Sequence, residues 1–535
     1  MKKIGKIITR KTICLKGVNM KQLLNSSTYR RIQFVEFLDQ LPSWCDIKEA
    51  ARTVDCSVKT LLTDIDFINE FWGDYIYIDY SKFQGVRLNN ITSNKLGNVY
   101  GQIYHESLEF QFVEKMLYES NQDAEYWINE LFMSEASFYR MVNALEDFLK
   151  RRGLTLERSP FRITGPDERW VRFFYQQYFT EAYGVNQWPF TLDHEETTCF
   201  IMRTSTDFDV SLDDREIQEA AYLFMVTLNR MHQGFYLPEN VYVEEDDTID
   251  KVLDFSRPFA EHLLADTDFS LPKKWYKEVS RTVFHEFYNW DNPEQIVRIN
   301  GKIDTFLKNL SHAIEFPLDR DDRRKIIQAM MSWYVEYNFY PYRPNMLFDK
   351  HQKFAREIQL VYPIFSALVK IHLRDIEKKS PELWTDIRLN NVFFLLMKEW
   401  THLPIHLENM RQKVSIMIVS DLGRRHAEML QDFLIANYHE RISVDTFKEP
   451  VISTGPEDFE AFAKYDIVLS NNPIKGYENS NVLIVNNFFS ASDRDNLWNF
   501  IIAVQKNEAR RHLKELGNIK MKTAKEIYFS QQILN

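Results

Sequence analysis

Residues 46–69, DIKEAARTVDCSVKTLLTDIDFIN, have the pattern of two helices joined by a tight turn. Asp46 and Ser57 belong to the residue types that favour helix N-caps, and the apolar positions after Ser57 repeat at helical spacing. The pattern predicts a short helix that ends near Val54 and a longer helix that runs from Ser57 through Phe71.

The sequence on either side of this stretch completes a winged helix-turn-helix. Amphipathic spacing predicts a helix over Thr28–Leu41, and strand-forming residues around a turn predict a β-ribbon over Tyr75–Leu88. The same order of elements recurs in residues 106–165, where Ser134 is placed to cap the third helix and Leu154–Gly165 to form a hairpin. Two consecutive units with one plan are therefore predicted.

The remainder of the chain changes from a long helical region to a short region with strands. Residues 167–405 are rich in aromatic side chains and in helical periodicity, and their breaks divide them into two bundles that meet near residue 292. Residues 411–505 alternate strand-like and helical stretches, which predicts a small parallel α/β domain in a protein that is mainly α and multidomain. The predicted strands are Val414–Val419, Ile442–Phe447, Tyr465–Leu469 and Val482–Val485.

The composition is that of a folded chain of several domains whose charge is unevenly distributed. The chain has 535 residues, 44% hydrophobic and 27% charged, with a formal net charge of −11. Residues 1–62 nevertheless hold 12 Lys and Arg against 5 Asp and Glu, so a basic head precedes an acidic body. A basic end favours a polyanionic partner such as nucleic acid.

Several classes of protein and site are not expected from this sequence. The four cysteines share no metal-ligand or CxxC spacing, which favours reduced thiols, a cytoplasmic location and no metal site. The N-terminus lacks the apolar core of a signal peptide, and no apolar run reaches the length of a membrane span. The motifs GxxxxGK[ST], HExxH, GxSxG and GxGxxG in its strand–helix context do not occur, so neither an enzyme nor a cofactor is expected.

Two stretches resemble the Mga/AtxA family of virulence regulators from Gram-positive bacteria. They are residues 46–69 and residues 133–165, MSEASFYRMVNALEDFLKRRGLTLERSPFRITG. The resemblance implies two phosphotransferase-system regulation domains and a terminal domain that resembles an enzyme IIB subunit. The resulting assignment is a disordered lead at 1–19, winged helix-turn-helix units at 20–90 and 91–165, regulation domains at 166–291 and 292–410, the enzyme IIB-like domain at 411–505 and a helical tail at 506–535.

The outward residues of the two third helices are the candidates for contacts with DNA. A helix-turn-helix places the first turn of this recognition helix against base edges, while neighbouring cations contact phosphates. The second unit is near neutral, so one of the two units could be purely architectural. The candidates for base contacts are Ser57, Lys59, Thr60 and Thr63 in the first unit and Ser137, Tyr139, Arg140 and Asn143 in the second. The candidates for phosphate contacts are Arg30, Arg31, Lys48, Lys82 and Arg87 in the first unit and Arg151, Arg152, Arg158 and Arg162 in the second.

Histidines of the helical middle are the candidate phosphorylation sites. A neutral imidazole is available as a nucleophile at cellular pH, and an added phosphate could reorder a bundle interface. The segment EVSRTVFHEFY, residues 278–288, is similar to the late helix of a regulation domain and places His285 at that family position. His232 is a further candidate, and His372 and His312 are looser ones. The resemblance implies that the phosphoryl group comes from the carrier protein HPr.

The turn after the first strand of the α/β domain, Ser420–Gly423, lacks the cysteine of a working enzyme IIB protein. No cysteine follows Cys199, so phosphocysteine chemistry is excluded. Asp421 could suggest an aspartyl-phosphate receiver, but no acidic pair or lysine can be assigned around it. The prediction is a retained scaffold that mediates self-association.

These features predict a cytoplasmic DNA-binding transcription regulator that activates virulence or carbohydrate-responsive genes and works as a dimer or larger assembly. Its expected partners are A/T-rich or bent double-stranded DNA, a second copy of the chain, HPr and RNA polymerase, with no membrane. One alternative is an RNA-binding antiterminator with paired regulation domains, which the helical head disfavours because such proteins use a small β-rich head. Another is a sugar-phosphotransferase enzyme component, which the missing cysteine disfavours.

Overall fold

The computed structural model is mainly helical and contains a small parallel sheet near the C-terminus, as predicted. The chain divides into two compact units, Met1–Val297 with Met331–Lys350 and Arg298–Met330 with His351–Asn535. None of the helices in the described part of the chain combines the length and the apolar character that a membrane span requires. The structure describes residues 20–41, 43–89, 93–185, 187–207, 212–238, 257–265, 271–272, 275–284, 293–377, 383–411 and 413–520.

The first winged helix-turn-helix has the predicted order of elements. The elements are α1 (Ser26–Asp39), α2 (Ile47–Thr53), α3 (Val58–Phe71), β1 (Tyr77–Ser81) and β2 (Gly85–Asn89), after a 3₁₀ turn at Met20–Leu23. The side chain of Asp46 accepts hydrogen bonds from two backbone N–H groups in the first turn of α2. Ser57 Oγ accepts one from the N–H of Thr60 at 3.1 Å, so both predicted caps form.

The helix-turn-helix of the second unit repeats that of the first at a separation of 77 residues. Its elements are α4 (Ser93–Glu106), α5 (Leu108–Tyr118), α6 (Ala124–Glu130), α7 (Glu135–Arg151), β3 (Thr155–Arg158) and β4 (Phe161–Thr164). Asp123 caps α6 as Asp46 caps α2, and each of these short helices has seven residues. Ser134 likewise caps α7 as Ser57 caps α3. The predicted repeat is therefore confirmed down to its caps.

The wing of the first unit, the hairpin of β1 and β2, is attached to the start of α2 through Gly85. The backbone N–H of Cys45 donates to the carbonyl of Val86 at 2.9 Å, and that of Val86 donates back to the carbonyl of Cys45 at 2.8 Å. Gly85 has a φ of +94°, and a Cβ at this position would lie 1.9 Å from the carbonyl oxygen of Cys45. Glycine is required here by both conformation and space.

Gly85→Ala is expected to destabilise the first winged unit by about 3 kcal/mol. The new Cβ would force β2 away from Cys45, and alanine is strained at this positive φ. Gly234→Ala is the matched control, since Gly234 has a φ of +85° with open space around it. That control should cost only about 1 kcal/mol. Hydrogen exchange of amides in the first compact unit, which contains both glycines, compares the two variants. Equal losses would mean that the contact with Cys45 imposes no constraint.

The helices that follow share one hydrophobic core with both winged units. This core runs from Met20 through Phe284 and also includes Tyr340, Met346 and Leu347. The first compact unit is therefore built around a continuous interior in which the winged units and the following helices are packed together. The helices are α8 (Glu168–Tyr183), α9 (His194–Asp207), α10 (Asp214–His232), α11 (Arg257–Leu263) and α12 (Trp275–Ser280).

Helix α4 was not among the predicted elements, and it packs against α8 inside this core. Its buried residues are Leu96, Val99, Tyr100, Ile103 and Tyr104, which repeat at i, i+3, i+4, i+7 and i+8. That spacing is a helical signal that the sequence interpretation passed over.

The second helical region and the α/β domain complete the chain. The helices are α13 (Pro293–Ala313), α14 (Arg320–Phe339), α15 (Lys350–Val361), α16 (Pro363–Glu377), α17 (Leu389–Glu399) and α18 (Leu403–Asn409). Residues Met331–Lys350, which include the end of α14, group with the first compact unit although the chain on either side belongs to the second. The proposed domain boundaries, including the one near residue 292, stay predictions.

The C-terminal sheet confirms the predicted parallel α/β architecture. Its strands are β5 (Val414–Val419), β6 (Ile442–Thr446), β7 (Ile467–Ser470) and β8 (Val482–Ile484), all parallel in the order β6-β5-β7-β8. The accompanying helices are α19 (Arg424–Tyr438), α20 (Pro456–Phe462) and α21 (Ala491–Lys520). The start of the predicted tail continues α21, whereas residues 521–535 and the lead at 1–19 lie outside the described residues.

Candidate nucleic-acid interface

The first turn of α3 presents one exposed cation, Lys59, among hydroxyl side chains. The Ser57 and Thr60 hydroxyls lie 2.8 Å apart in the cap, and Thr63 Oγ1 donates to the carbonyl of Lys59 at 3.2 Å. These bonds hold the three hydroxyls in fixed positions on the outer face of the helix. The four predicted base-contact residues of this unit are thus brought together at the start of α3, within the N-cap and the first two turns.

Arg30 and Arg31 of α1 have a structural partner that the sequence interpretation did not assign. Arg30 Nε donates to Asp64 Oδ2 at 2.7 Å, and Arg31 Nε donates to Asp64 Oδ1 at 2.9 Å. Asp64 lies on α3 and is only 1% exposed, and the Arg31 guanidinium also lies 3.5 Å from the ring centroid of Phe67. The hydrogen bond to Asp64 raises the pKa of Arg30. Both arginines therefore clamp α1 to the recognition helix.

Two other predicted phosphate contacts of the first unit, Lys48 and Lys82, are exposed. Arg87 donates to Asp79 on the neighbouring strand at 2.8 Å, and its guanidinium lies 4.8 Å from the ring centroid of Trp44. Among the predicted phosphate contacts of this unit, the lysines are therefore more exposed than the arginines.

The recognition helix of the second unit exposes Tyr139, Arg140 and Asn143 on one face, while Ser137 belongs to the cap. The arginines around this face are paired. Arg158 donates to Asn143 Oδ1 at 2.7 Å and also to Glu146.

Arg162 on β4 and Arg151 at the end of α7 also have hydrogen-bond partners. Arg162 Nε donates to Glu157 Oε2 at 2.6 Å, and Arg151 donates to Gln22 at 2.9 Å. Glu146 and Glu157 compensate the charges of Arg158 and Arg162, whereas the neutral Gln22 leaves that of Arg151, so the electrostatic attraction of this unit is weaker than its arginine count indicates.

Arg152 was wrongly placed among the outward cations, because the structure buries it at 1% exposure. Its guanidinium donates to Gln177 Oε1 on α8 at 3.1 Å, to Tyr340 Oη at 3.0 Å and to the carbonyl of Asn345 at 3.1 Å. Position in the RRG exit of a helix does not distinguish an exposed arginine from one that turns into the core. Only the tertiary contacts do so.

Glu181 on α8, which is half-buried, is a second charged residue of this region whose structural contacts the sequence did not reveal. It accepts hydrogen bonds from Tyr104 Oη at 3.0 Å and from the backbone N–H groups of Leu347 and Phe348 at 2.8 and 3.2 Å. Burial raises the pKa of the Glu181 carboxyl, and these donors oppose that shift. Glu181 and Arg152 together fix the 340–348 segment to the winged units.

The candidate phosphorylation sites are spread over the chain. His285 lies outside the described residues. His232 is the exposed last residue of α10 in the first compact unit, and His372 is half-buried on α16 in the second.

The turn after β5 is a network of amides and carboxylate rather than a reactive centre. Asp421 accepts hydrogen bonds from the side chains of Asn471 and Asn472, and these bonds lower the pKa of its carboxyl. His426 bonds with Ser420 Oγ at 2.8 Å. In the part of the chain that the structure describes, no cluster of three or more His, Cys, Asp or Glu residues could hold a metal ion.

Comparison with known proteins places regulators among the relatives of this chain. A family model, the Mga helix-turn-helix domain, matches residues 92–179, which contain α4, the second winged unit and most of α8. A putative trans-acting regulator of Streptococcus pneumoniae serotype 4 is 22% identical over 497 residues, covering 88% of this chain and 97% of that protein.

Two regulators of Bacillus anthracis are also similar. The capsule synthesis positive regulator AcpA is 24% identical over 206 residues, covering 38% of this chain and 42% of AcpA. The capsule synthesis positive regulator AcpB is 19% identical over 441 residues, covering 78% of this chain and 88% of AcpB.

Proposed function

Because the chain belongs to the Mga/AtxA family, we propose that it is a DNA-binding transcription regulator that activates its target genes. The observation that carries the proposal is the pair of helix-turn-helix units repeated at 77 residues, each with a capped recognition helix. Two relatives are named as positive regulators of capsule synthesis, which supports activation. Virulence or carbohydrate-responsive genes are the proposed targets, and no catalytic activity is proposed.

The two winged units have different roles in this proposal. In the first unit, Ser57, Lys59, Thr60 and Thr63 contact bases while Lys48 and Arg87 contact phosphates. The clamp residues Arg30 and Arg31 contribute through the orientation of the recognition helix. In the second unit, Ser137, Tyr139, Arg140 and Asn143 face the groove, and Arg151, Arg158 and Arg162 reach phosphates only after exchanging their present partners.

Fluorescence anisotropy of the full chain on A/T-rich and G/C-rich duplexes across a salt series tests this function. We expect binding whose logarithm falls linearly with the logarithm of the salt concentration, and a preference for the A/T-rich duplex. A hairpin RNA is the competitor that separates the proposal from an antiterminator. Displacement of the duplex by RNA at lower concentration than by DNA would overturn DNA binding as the function.

We further propose that histidine phosphorylation by HPr adjusts the activity by shifting self-association, with His285, His232 and His372 as acceptors. The physical basis is the charge of a phosphoryl group, which alters packing wherever it is placed at a helix interface. The partners in this scheme are duplex DNA, a second copy of the chain, HPr and RNA polymerase, and the proposed location is the cytoplasm.

Radiolabelled phosphoenolpyruvate with enzyme I and HPr is expected to label the full chain in an acid-labile form, because phosphohistidine hydrolyses in acid. His285→Ala, His232→Ala and His372→Ala should each remove part of the label. His262→Ala, at an exposed position on α11, is the control and should leave the label unchanged. Undiminished labelling of the triple variant would exclude all three histidines.

A further inference from the structure

Phe83 at the tip of the first wing is the most exposed large apolar side chain in the described residues, at 100%. It lies in the turn between β1 and β2, where Lys82 and Gln84 on either side are also exposed. A fully exposed ring contributes no packing to the fold, so the stability of the protein does not account for a phenylalanine at this position.

The tip that carries Phe83 is held in a defined conformation. Ser81 Oγ accepts hydrogen bonds from the backbone N–H groups of Phe83 and Gln84, both at 3.3 Å. The hairpin is anchored directly behind the tip, because Gly85, which pairs with Ser81, lies against Cys45 just before α2. The ring is therefore presented on a short ribbon anchored beside the helix-turn-helix.

The charge around the tip matches a polyanion. Lys82 precedes the ring, and Lys48 lies in the first turn of α2, two residues after the contact that Gly85 makes with Cys45 and Asp46. A single exposed apolar side chain is common on protein surfaces and has no meaning alone. An aromatic ring next to an exposed lysine, on a ribbon beside a helix-turn-helix, matches a side chain that enters a nucleic-acid groove.

The second wing provides an internal comparison. Its turn holds Ser159 and Pro160 between β3 and β4, and no large exposed apolar side chain occurs there. The two units share one plan, so the aromatic tip is a property of the first unit alone.

We propose that Phe83 inserts from the first wing into the minor groove of the bound duplex and wedges between base pairs, kinking the DNA. This inference rests on the proposed DNA-binding function. Inserted apolar side chains unstack a base step, and pyrimidine–purine steps such as TA yield most easily. Phe83 therefore selects deformable A/T-rich sites, while Lys82 neutralises a phosphate beside the insertion.

The test uses the full chain and an A/T-rich duplex with 2-aminopurine at a TpA step, whose fluorescence rises when the base unstacks. Wild-type protein should raise the fluorescence at saturation, and Phe83→Ala should remove the rise and weaken binding about 10-fold. Phe83→Leu should keep part of both effects, since leucine also serves as a wedge. Ile452→Ala is the matched control, because Ile452 is 98% exposed in the α/β domain and should change neither readout.

The outcomes separate the wedge from DNA binding itself. A Lys48→Ala/Lys59→Ala variant should bind more weakly yet keep the fluorescence rise when saturated. Wild-type binding without any rise, or a Phe83→Ala variant that keeps it, would overturn the insertion and leave DNA binding intact. Failure of the wild type to bind any duplex would overturn the proposed function and the wedge with it.

Discussion

Replacing Lys48 and Lys59 with alanine together is expected to weaken binding of the full chain to duplex DNA about 10-fold and to lower the salt slope by about 2. Both side chains are exposed, and each is expected to release one counterion when it contacts a phosphate or lies in the groove beside one. Neither contributes an ion pair to the clamp at Asp64, so the fold should be unchanged. Anisotropy titrations at several salt concentrations measure both quantities.

Two further double variants show whether the loss of binding is specific to the lysines of the first winged unit. Lys448→Ala/Lys464→Ala removes the same charge from exposed positions in the α/β domain and should leave the salt slope unchanged. Arg158→Ala/Arg162→Ala should lower the slope less than the lysine pair does, because Glu146 and Glu157 already compensate these arginines. A larger loss from the arginine pair would assign DNA binding chiefly to the second unit.

Arg172→Leu is expected to destabilise the first compact unit by about 3–5 kcal/mol, because it removes a buried cation from the ion pair with the buried carboxylate of Glu278. Arg172 is 0% exposed, and its guanidinium donates to Glu278 Oε2 at 2.6 Å and to Thr282 Oγ1 at 3.1 Å. Glu168, which receives two hydrogen bonds from Arg230, lies 3.6 Å from Arg172 Nε. This network joins α8, α10 and α12.

The loss of stability is measured by hydrogen exchange of the α8 amides, because a single two-state fit does not describe the unfolding of a multidomain chain. The double variant Arg172→Leu/Glu278→Leu should regain part of the lost stability, since no buried charge is then unpaired. Arg215→Leu is the control: its pair with Glu219 on α10 is one-third exposed and contributes only about 0–1 kcal/mol. Similar losses for Arg172→Leu and Arg215→Leu would contradict the prediction.

The local features of the winged units were predicted well. Asp46, Ser57 and Ser134 cap the helices that the sequence indicated, because a capping side chain bonds to backbone groups two or three residues away. The strands of the α/β domain were predicted for a similar reason. Val414–Val419 is a continuous apolar run, as a strand buried on both faces requires.

The prediction of the candidate site missed the arginines whose partners lie far away in the sequence. Arg30 and Arg31 resemble solvated phosphate contacts in sequence, yet Asp64, more than 30 residues away, binds both. Burial of Arg152 likewise depends on Gln177, which lies on another helix. No periodicity carries information about such pairs.

The amino-acid sequence by itself therefore determined the two capped helix-turn-helix units, the parallel strands and the basic character of the head. Caps, turns and hydrophobic periods act over a few residues, so a linear pattern contains them. Only the tertiary structure decided which cations are available and which are structural. That distinction depends on desolvation and on partners distant in the chain: it buries Arg152, clamps Arg30 and Arg31 to Asp64, and leaves Lys59 and Phe83 in solvent.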